Sequence, residues 1–217
     1  MIKAVLFDLD GTLVNSLEDL ADSTNFALKS RGYPVHETES FKYFVGDGML
    51  KLIERALPQE KRNPQECKIV LDIFMKHYKE HYLDKTKAYD GITELIDTLK
   101  SEGYKTAIIS NKAHEMAVTV AEKIFGDRFE IVFGKKEGYP TKPDAKLTNE
   151  LICRLGVKND QCVVVGDSGM DMAVAKNAGA IGIGVLWGFR SEEELLKNGA
   201  DYIASDTVQL YNIIKGI

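Results

Sequence analysis

Short runs of apolar residues alternate along the chain with longer stretches in which apolar residues recur at helical spacing. The short runs predict six strands, at residues 4–8, 106–110, 131–133, 161–165, 180–185 and 201–203. Because these runs are apolar on both faces, they are typical of parallel strands covered by helices on each side. The longer stretches predict helices at residues 92–101, 114–124, 144–155, 171–177, 192–197 and 208–214. This alternation predicts an α/β fold with a doubly wound, mostly parallel, Rossmann-like sheet.

One region breaks the alternation. Between Val14 and Tyr89 we find no convincing strand pattern, and helical patterns cover residues 49–57, 64–83 and a stretch from a capping signal at Ser16 to Ser30. About seventy residues are far too many for a loop between two strands, where about 2–6 are usual. We therefore expect a small α-helical subdomain at residues 15–88, inserted after the first strand, and a discontinuous α/β core formed by residues 1–14 and 89–217.

Composition narrows the class of protein. The chain has 217 residues, of which 44% are hydrophobic and 28% are charged, as in ordinary globular proteins. Its formal charge of −5 argues against a nucleic-acid binder, and no apolar segment approaches the length of about 20 residues that a membrane span needs. The first residues carry no signal-peptide pattern, so we expect a cytoplasmic protein. Nothing marks a dimer surface, and both a monomer and a homodimer stay open.

The three cysteines show no pattern of a disulfide framework or a metal site. Cys67, Cys153 and Cys162 show no CxxC spacing and cannot all pair with one another. We expect three buried, reduced thiols without a catalytic role.

Polar residues stand where four of the predicted strands end. They are Asp8, Asp10, Gly11 and Thr12 after the first strand, Ser110 and Asn111 after the second, Lys142 after the third, and Asp167 and Asp171 after the fourth. Ligands bind beyond the carboxyl ends of the strands in an open α/β sheet, so these groups are expected at one site. Clustered carboxylates suit Mg²⁺, and a lysine and backbone N–H groups suit phosphoryl oxygens. The set therefore predicts phosphoryl-transfer chemistry.

Four short segments carry a resemblance to a known family. Residues 8–12 (DLDGT), 110–111 (SN), 142–143 (KP) and 166–171 (GDSGMD) resemble, in order, the four motifs of the haloacid dehalogenase superfamily. The insertion resembles the helical cap that this superfamily places between its first and second motifs. A closed cap leaves little room for a macromolecule, so the resemblance implies a small phosphate ester as substrate.

The resemblance assigns roles to the residues of these segments. It implies that Asp8 is the nucleophile that forms an aspartyl-phosphate and that Asp10 is the general acid and base. It implies that Ser110 and Lys142 bind the phosphoryl group, together with backbone N–H groups around Gly11, Thr12 and Asn111. The implied Mg²⁺ ligands are the Asp8 carboxylate, the Asp10 carbonyl oxygen and Asp167, with Asp171 in support. Because branches that displace halide usually lack the second aspartate, Asp10 favours phosphatase chemistry.

Two further segments are similar to the phosphoglycolate phosphatases of this superfamily. They are residues 44–49 (FVGDGM), where Gly46, Asp47 and Gly48 are candidate substrate contacts, and residues 184–191 (GVLWGFRS). Asp47 departs from the pattern, since an uncharged residue is common there and its charge would repel a substrate carboxylate. Pyrophosphate, nucleotides and sugar phosphates stay open as substrates, as does a phosphomutase reaction.

Two hypotheses that assign the protein to other functional classes stay open. Residues 77–81 (HYKEH) match the H-x-x-E-H spacing of an inverted zinc-protease helix, with His77, Glu80 and His81 as the residues concerned. The alternative for this segment is the solvated face of a helix. The protein could also be a regulatory module that binds a phosphorylated metabolite without turning it over, although the intact pair of Asp8 and Asp10 disfavours this.

Overall fold

The computed structural model describes all 217 residues and contains eight strands and nine α-helices. The strands are β1 (Ala4–Phe7), β2 (Val14–Asn15), β3 (Lys87–Ala88), β4 (Lys105–Ala113), β5 (Ile131–Lys135), β6 (Cys162–Gly166), β7 (Ile181–Val185) and β8 (Tyr202–Ala204). The helices are α1 (Leu17–Ser30), α2 (Met49–Ala56), α3 (Pro64–His81), α4 (Ile92–Ser101), α5 (His114–Phe125), α6 (Lys146–Arg154), α7 (Gly169–Ala178), α8 (Glu192–Lys197) and α9 (Thr207–Gly216). No helix is both long enough and apolar enough to cross a membrane.

Six of the strands form one parallel sheet in the order β5-β4-β1-β6-β7-β8. Every residue of β1 is fully buried, because this strand lies between β4 and β6, where Val5 pairs with Thr106 on one side and with Val163 on the other. The six predicted strands and the α/β fold are confirmed. Strand β4 runs three residues past its predicted end, to Ala113, because the chain stays extended across a register shift and pairs Ala113 with Lys135.

Apolar side chains of the sheet pack against the flanking helices. One core cluster joins Leu6, Ile109 and Val164 on the sheet to Leu151 of α6 and Val174 of α7. Burial of such clusters on both faces explains why the strands are apolar throughout.

The polypeptide divides into two compact units, residues 1–14 with 88–217 and residues 15–87. The first unit holds the large sheet. Two-residue strands β2 and β3, which the sequence pattern does not predict, pair with each other where the chain leaves and re-enters this unit. Strands this short leave no apolar alternation to detect.

The second unit is helical. Helix α1 packs against α3. Phe74 and Tyr78 of α3 are buried in this unit, and their rings stack with a centroid distance of 5.0 Å. The start of α1 differs from expectation: the Ser16 side chain does not cap it, and Asn15 Oδ1 instead accepts the Leu17 N–H at 3.2 Å.

The cysteines are free thiols, as expected, but only Cys67 and Cys162 are buried. Cys153 is exposed, which corrects the prediction for this residue. It lies on α6 beside Ile152, whose side chain faces the core, so the next position along the helix turns toward solvent.

Candidate active site

The site begins where β1 ends. The Asp8 N–H still donates to Val165 of β6 at 2.8 Å, after which the chain turns back so that the N–H groups of Leu13 and Val14 donate to the Leu9 carbonyl. This turn holds Asp8 and Asp10 at the carboxyl edge of the sheet. Asp8 is buried and Asp10 is partly exposed.

Lys142 joins two of the carboxylates. Its Nζ donates to Asp8 Oδ1 at 2.6 Å, to Asp171 Oδ1 at 2.5 Å and to the Ile109 carbonyl at 3.2 Å. The Lys142 N–H in turn donates to Asn111 Oδ1 at 3.0 Å, which fixes the loop after β5 to the end of β4. Residues from three strand ends therefore meet at one buried ammonium group.

Burial and neighbouring charges both shift the pKa values of Asp8 and Lys142. Burial raises the pKa of Asp8 well above its ordinary value, and the Asp171 and Asp167 carboxylates raise it further, although Lys142 lowers it. Burial alone would lower the pKa of Lys142, but the carboxylates of Asp171 and Asp8 raise it above its ordinary value. The Lys142 ammonium group therefore partly neutralises a crowded acidic site.

Asp167 is held by two hydrogen-bond donors from distant parts of the chain. It accepts hydrogen bonds from Thr12 Oγ1 at 3.2 Å and from the Phe189 N–H at 2.8 Å. Burial and the nearby Asp171 carboxylate raise its pKa to about 7, although the hydrogen bonds from Phe189 and Thr12 lower it. The Asp167 carboxylate fits here because residue 11 is a glycine: a Cβ at Gly11 would lie 2.4 Å from Asp167 Oδ2. The φ of Gly11, +92°, also favours glycine.

Asp171 also takes part in the N-terminal capping box of helix α7. Its Oδ2 accepts the Ser168 N–H at 3.1 Å and the Ser168 hydroxyl at 2.6 Å, while its Oδ1 accepts from Lys142. Both oxygens are thus engaged, and the side chain is fully buried. This double role explains why an acid stands at this position of the helix.

The carboxylates fit a hard divalent cation. Oxygen atoms of Asp8, Asp167 and Asp171 all lie within 4.8 Å of one another, and no histidine or cysteine belongs to the group. An all-oxygen, anionic donor set of this kind suits Mg²⁺. The structure therefore contains an acidic cluster that could bind a metal ion.

Two neighbours of the acidic cluster are absent from the sequence-based set of site residues. Lys112, two residues beyond the buried Ser110, donates through Nζ to Asp10 Oδ1 at 3.0 Å. Tyr89 is half-buried, and burial together with the Asp167 and Asp10 carboxylates raises its pKa. Lys112 could have been found, because it continues the polar run Ser110-Asn111. Tyr89 carries no such signal.

The two segments that resemble the phosphoglycolate phosphatases, residues 44–49 and 184–191, lie in different units of the structure. Gly46, Asp47 and Gly48 belong to the helical unit, where Asp47 forms an ion pair with Arg55; as substrate contacts they stay a prediction. Trp187 donates through Nε1 to the Thr12 carbonyl at 2.9 Å and so supports the loop after β1.

The H-x-x-E-H segment lies on α3, and its two histidines and its glutamate do not converge. Glu80 is exposed, whereas the rings of His77 and His81 lie 4.3 Å apart. No group of three His, Cys, Asp or Glu ligand atoms within 4.8 Å includes these residues. The arrangement of a zinc hydrolase is not present here.

Comparison with known proteins gives a consistent result. The family model described as haloacid dehalogenase-like hydrolase matches residues 5–185. A phosphoglycolate phosphatase of Chromobacterium violaceum is 33% identical over 218 residues, which cover 99% of this chain and 97% of that protein. One from Haemophilus influenzae is 32% identical over 220 residues, which cover 98% of each protein.

A solved structure extends the likeness to the fold. The crystal structure of a Lactobacillus delbrueckii protein to which phosphoglycolate phosphatase activity is ascribed superposes with a TM-score of 0.93. The two chains are 32% identical, and the match covers 98% of each. Sequence and fold are thus shared over nearly the whole length.

Proposed function

Because the chain belongs to the haloacid dehalogenase-like hydrolase family, we propose that it is a Mg²⁺-dependent phosphatase that hydrolyses a small phosphate monoester through an aspartyl-phosphate. The observation that carries this proposal is the buried contact of Lys142 with both Asp8 and Asp171. Another aspartate, Asp10, lies two residues after Asp8 on the loop that follows β1. These groups are a nucleophile, a cation for phosphoryl oxygens and a proton carrier.

In the first step, Asp8 attacks the phosphorus atom and the bond from phosphorus to the ester oxygen breaks. The leaving alkoxide takes a proton from Asp10, whose carboxyl group is partly exposed and so accessible to substrate. Lys142 Nζ, within 2.6 Å of Asp8 Oδ1, offers positive charge to the phosphoryl oxygens. The product of this step is an aspartyl-phosphate on Asp8 and a free alcohol.

In the second step, Asp10 accepts a proton from a water molecule, and the oxygen of that water attacks phosphorus. The bond from phosphorus to Asp8 breaks, which releases inorganic phosphate and restores the Asp8 carboxylate. Asp10 ends the cycle with the proton that it lost in the first step, so protons balance over the whole reaction.

The carboxylates of Asp8 and Asp167, the Asp10 carbonyl oxygen and, in support, Asp171 would hold Mg²⁺. When bound, this ion supplies positive charge that screens the nucleophile from the phosphoryl oxygens. The raised pKa of Asp167, about 7, agrees with a group whose charge is costly until a cation accompanies it.

We propose 2-phosphoglycolate as the substrate. The support is the name shared by the Chromobacterium violaceum and Haemophilus influenzae relatives, at 33% and 32% identity over nearly the full chain. Asp47, whose charge would oppose a substrate carboxylate, is paired with the Arg55 guanidinium, which removes most of that objection.

Phosphate release from a panel of small esters, with and without Mg²⁺, tests both parts of the proposal. The panel includes 2-phosphoglycolate, pyrophosphate, a nucleotide and a sugar phosphate. We expect 2-phosphoglycolate to give the highest kcat/KM, and Asp8→Asn to abolish turnover of every substrate. Asp160→Asn is the matched control, because Asp160 is exposed and precedes β6 at the opposite edge of the sheet.

The outcomes separate the two parts. If another ester is preferred and Asp8→Asn is inactive, the mechanism stands and the substrate assignment is wrong. If Asp8→Asn retains wild-type turnover, the aspartyl-phosphate route is wrong.

A further inference from the structure

The helical unit contains a cavity of about 770 Å³ that the proposed phosphatase chemistry does not use. It lies between α1, the loop that follows α1, and the end of α3. Among its lining residues are His77, His81, Asp22 and Asp84. All of them belong to residues 15–87, so the cavity is a feature of this unit alone.

We propose that His77 and His81 form a binding site for a divalent transition-metal ion such as Zn²⁺. The two residues are four apart on α3 and therefore lie on the same face of the helix, one turn apart. Their rings are 4.3 Å apart with an angle of 30° between their planes. Imidazole nitrogen is a preferred ligand of Zn²⁺, Ni²⁺ and Cu²⁺ and a poor one of Mg²⁺.

The hydrogen bonds of the two rings leave the same nitrogen free on each. His77 Nδ1 lies 3.0 Å from Ser23 Oγ, and His81 Nδ1 lies 2.8 Å from Asp84 Oδ2. Neither Nε2 atom makes a hydrogen bond. A ligating histidine characteristically has its other ring nitrogen held by a carboxylate or another acceptor, which fixes the tautomer and the ring. Ser23 and Asp84 supply such partners before any metal arrives.

Packing also restrains the ring of His77. The Phe26 ring stacks on it at a centroid distance of 4.2 Å, so His77 lies between Phe26 and His81. A preorganised pair needs little rearrangement to accept an ion.

Charge around the cavity is mixed. Lys29 and Lys85 also line it, but Lys85 Nζ is engaged by Asp22 at 2.8 Å, and the Asp84 carboxylate is next to His81. No third His, Cys, Asp or Glu ligand atom completes a compact group with the two histidines. The proposed site therefore uses two protein ligands, with water in the remaining positions.

The test uses the full chain, with Zn²⁺ as the probe and excess Mg²⁺ present to occupy the acidic cluster. The chain has four histidines, so a two-dimensional NMR spectrum of their ring nitrogens resolves the site directly. We expect Zn²⁺ to shift the Nε2 signals of His77 and His81, while His36 and His114 act as internal controls. Zn²⁺ that shifts neither His77 nor His81 overturns the proposal.

Calorimetric titration of variants gives an independent measurement. We expect His77→Gln and His81→Gln each to raise the Kd of this site at least tenfold, and Asp84→Asn to raise it about tenfold through the lost support of His81. Glu80→Gln, an exposed change within the same helical turn, should leave the Kd within twofold. Equal effects of Glu80→Gln and His81→Gln, or wild-type affinity in His81→Gln, would contradict the proposal.

Folding of the variants is checked by their Tm without metal. His81 is the more informative position, because its side chain is 44% exposed and its replacement removes little packing. Asp167→Asn keeps the histidine pair and weakens the acidic cluster, so Zn²⁺ binding that survives in this variant belongs to the histidine site. Loss of all Zn²⁺ binding in Asp167→Asn would place the ion at the acidic cluster and overturn the proposal.

Discussion

Lys112 Nζ lies 3.0 Å from Asp10 Oδ1 and 3.3 Å from Oδ2, and its side chain is fully buried whereas that of Asp10 is 20% exposed. The ammonium group therefore approaches the carboxylate from its buried side. A buried cation bonded to both oxygens restricts rotation of the carboxylate. We infer that Lys112 is a positioning residue for Asp10.

Replacement of Lys112 tests this role. We expect Lys112→Met to lower kcat about 10- to 100-fold with a change in KM of less than threefold, because a poorly oriented Asp10 transfers protons slowly but does not bind substrate. Lys112→Arg, which keeps a cation at this position, should recover part of the lost kcat. Steady-state kinetics with 2-phosphoglycolate gives both constants. A rise in KM at constant kcat would instead assign Lys112 to substrate binding.

Gly11 offers a test of the packing around Asp167. A Cβ at Gly11 would lie 2.4 Å from Asp167 Oδ2, and the φ of +92° is itself unfavourable for alanine. Gly103 has a similar φ of +86° with nothing within 4 Å, so Gly103→Ala carries the conformational penalty without the clash. We expect Gly103→Ala to lower the free energy of unfolding by about 1 kcal/mol and to keep full activity.

Gly11→Ala should show the difference that the clash makes. We expect kcat/KM for phosphate release to fall at least 100-fold and the free energy of unfolding to fall further than in Gly103→Ala, because Asp167 must move. Denaturant unfolding and phosphate release measure the two quantities. Equal behaviour of the two alanine variants would mean that the loop after β1 can shift away from Asp167 at little cost.

Hydrophobic periodicity was sufficient to predict the sheet and its helices, since each strand of the sheet is buried on both faces. It also placed Asp8 and Asp167 at strand ends and Lys142 on the loop after a strand, and the structure brings these three together. Contacts that depend on the exact course of the backbone were not predictable. The bond from the Phe189 N–H to Asp167 is one, because a backbone donor has no sequence signature. The bond from Lys112 to Asp10 is another: the polar run Ser110-Asn111 marks Lys112 as a candidate, but its Nζ reaches Asp10 only from a strand that continues past Ser110.

The pair of Asp47 and Arg55 allows a test of substrate charge. Asp47→Asn leaves the Arg55 cation without its partner, and Arg55→Met leaves the Asp47 anion. Because the sequence predicts Asp47 as a substrate contact, we expect Asp47→Asn to lower the KM for 2-phosphoglycolate two- to fivefold and Arg55→Met to raise it. An ester without a carboxylate group is the control substrate and should respond less. Equal changes in KM for both substrates would indicate that this ion pair does not sense the substrate carboxylate.

Asp167 makes the stability of the metal-free protein depend on pH. Its pKa is raised from 3.8 to about 7, first by burial and then by Asp171, so the folded protein holds a proton there that the unfolded chain releases at lower pH. The protonated Asp167 side chain therefore contributes its full stabilisation of the folded state below about pH 4, and this contribution is lost as the pH rises through about 7. Burial raises the pKa of Asp8 as well, which adds a change of the same sign.

We expect the free energy of unfolding in EDTA, measured with denaturant, to fall between pH 5 and pH 8 by more in the wild type than in Asp167→Asn. Over the full range from pH 4 to pH 8 the difference contributed by Asp167 is on the order of 4 kcal/mol. Asp160→Asn, at an exposed position, should follow the wild type. Added Mg²⁺ should stabilise the wild type most at pH 8, because the ion binds the ionised carboxylates and offsets the cost of their burial. Identical pH profiles for the wild type and Asp167→Asn would show that Asp167 ionises freely in the folded protein.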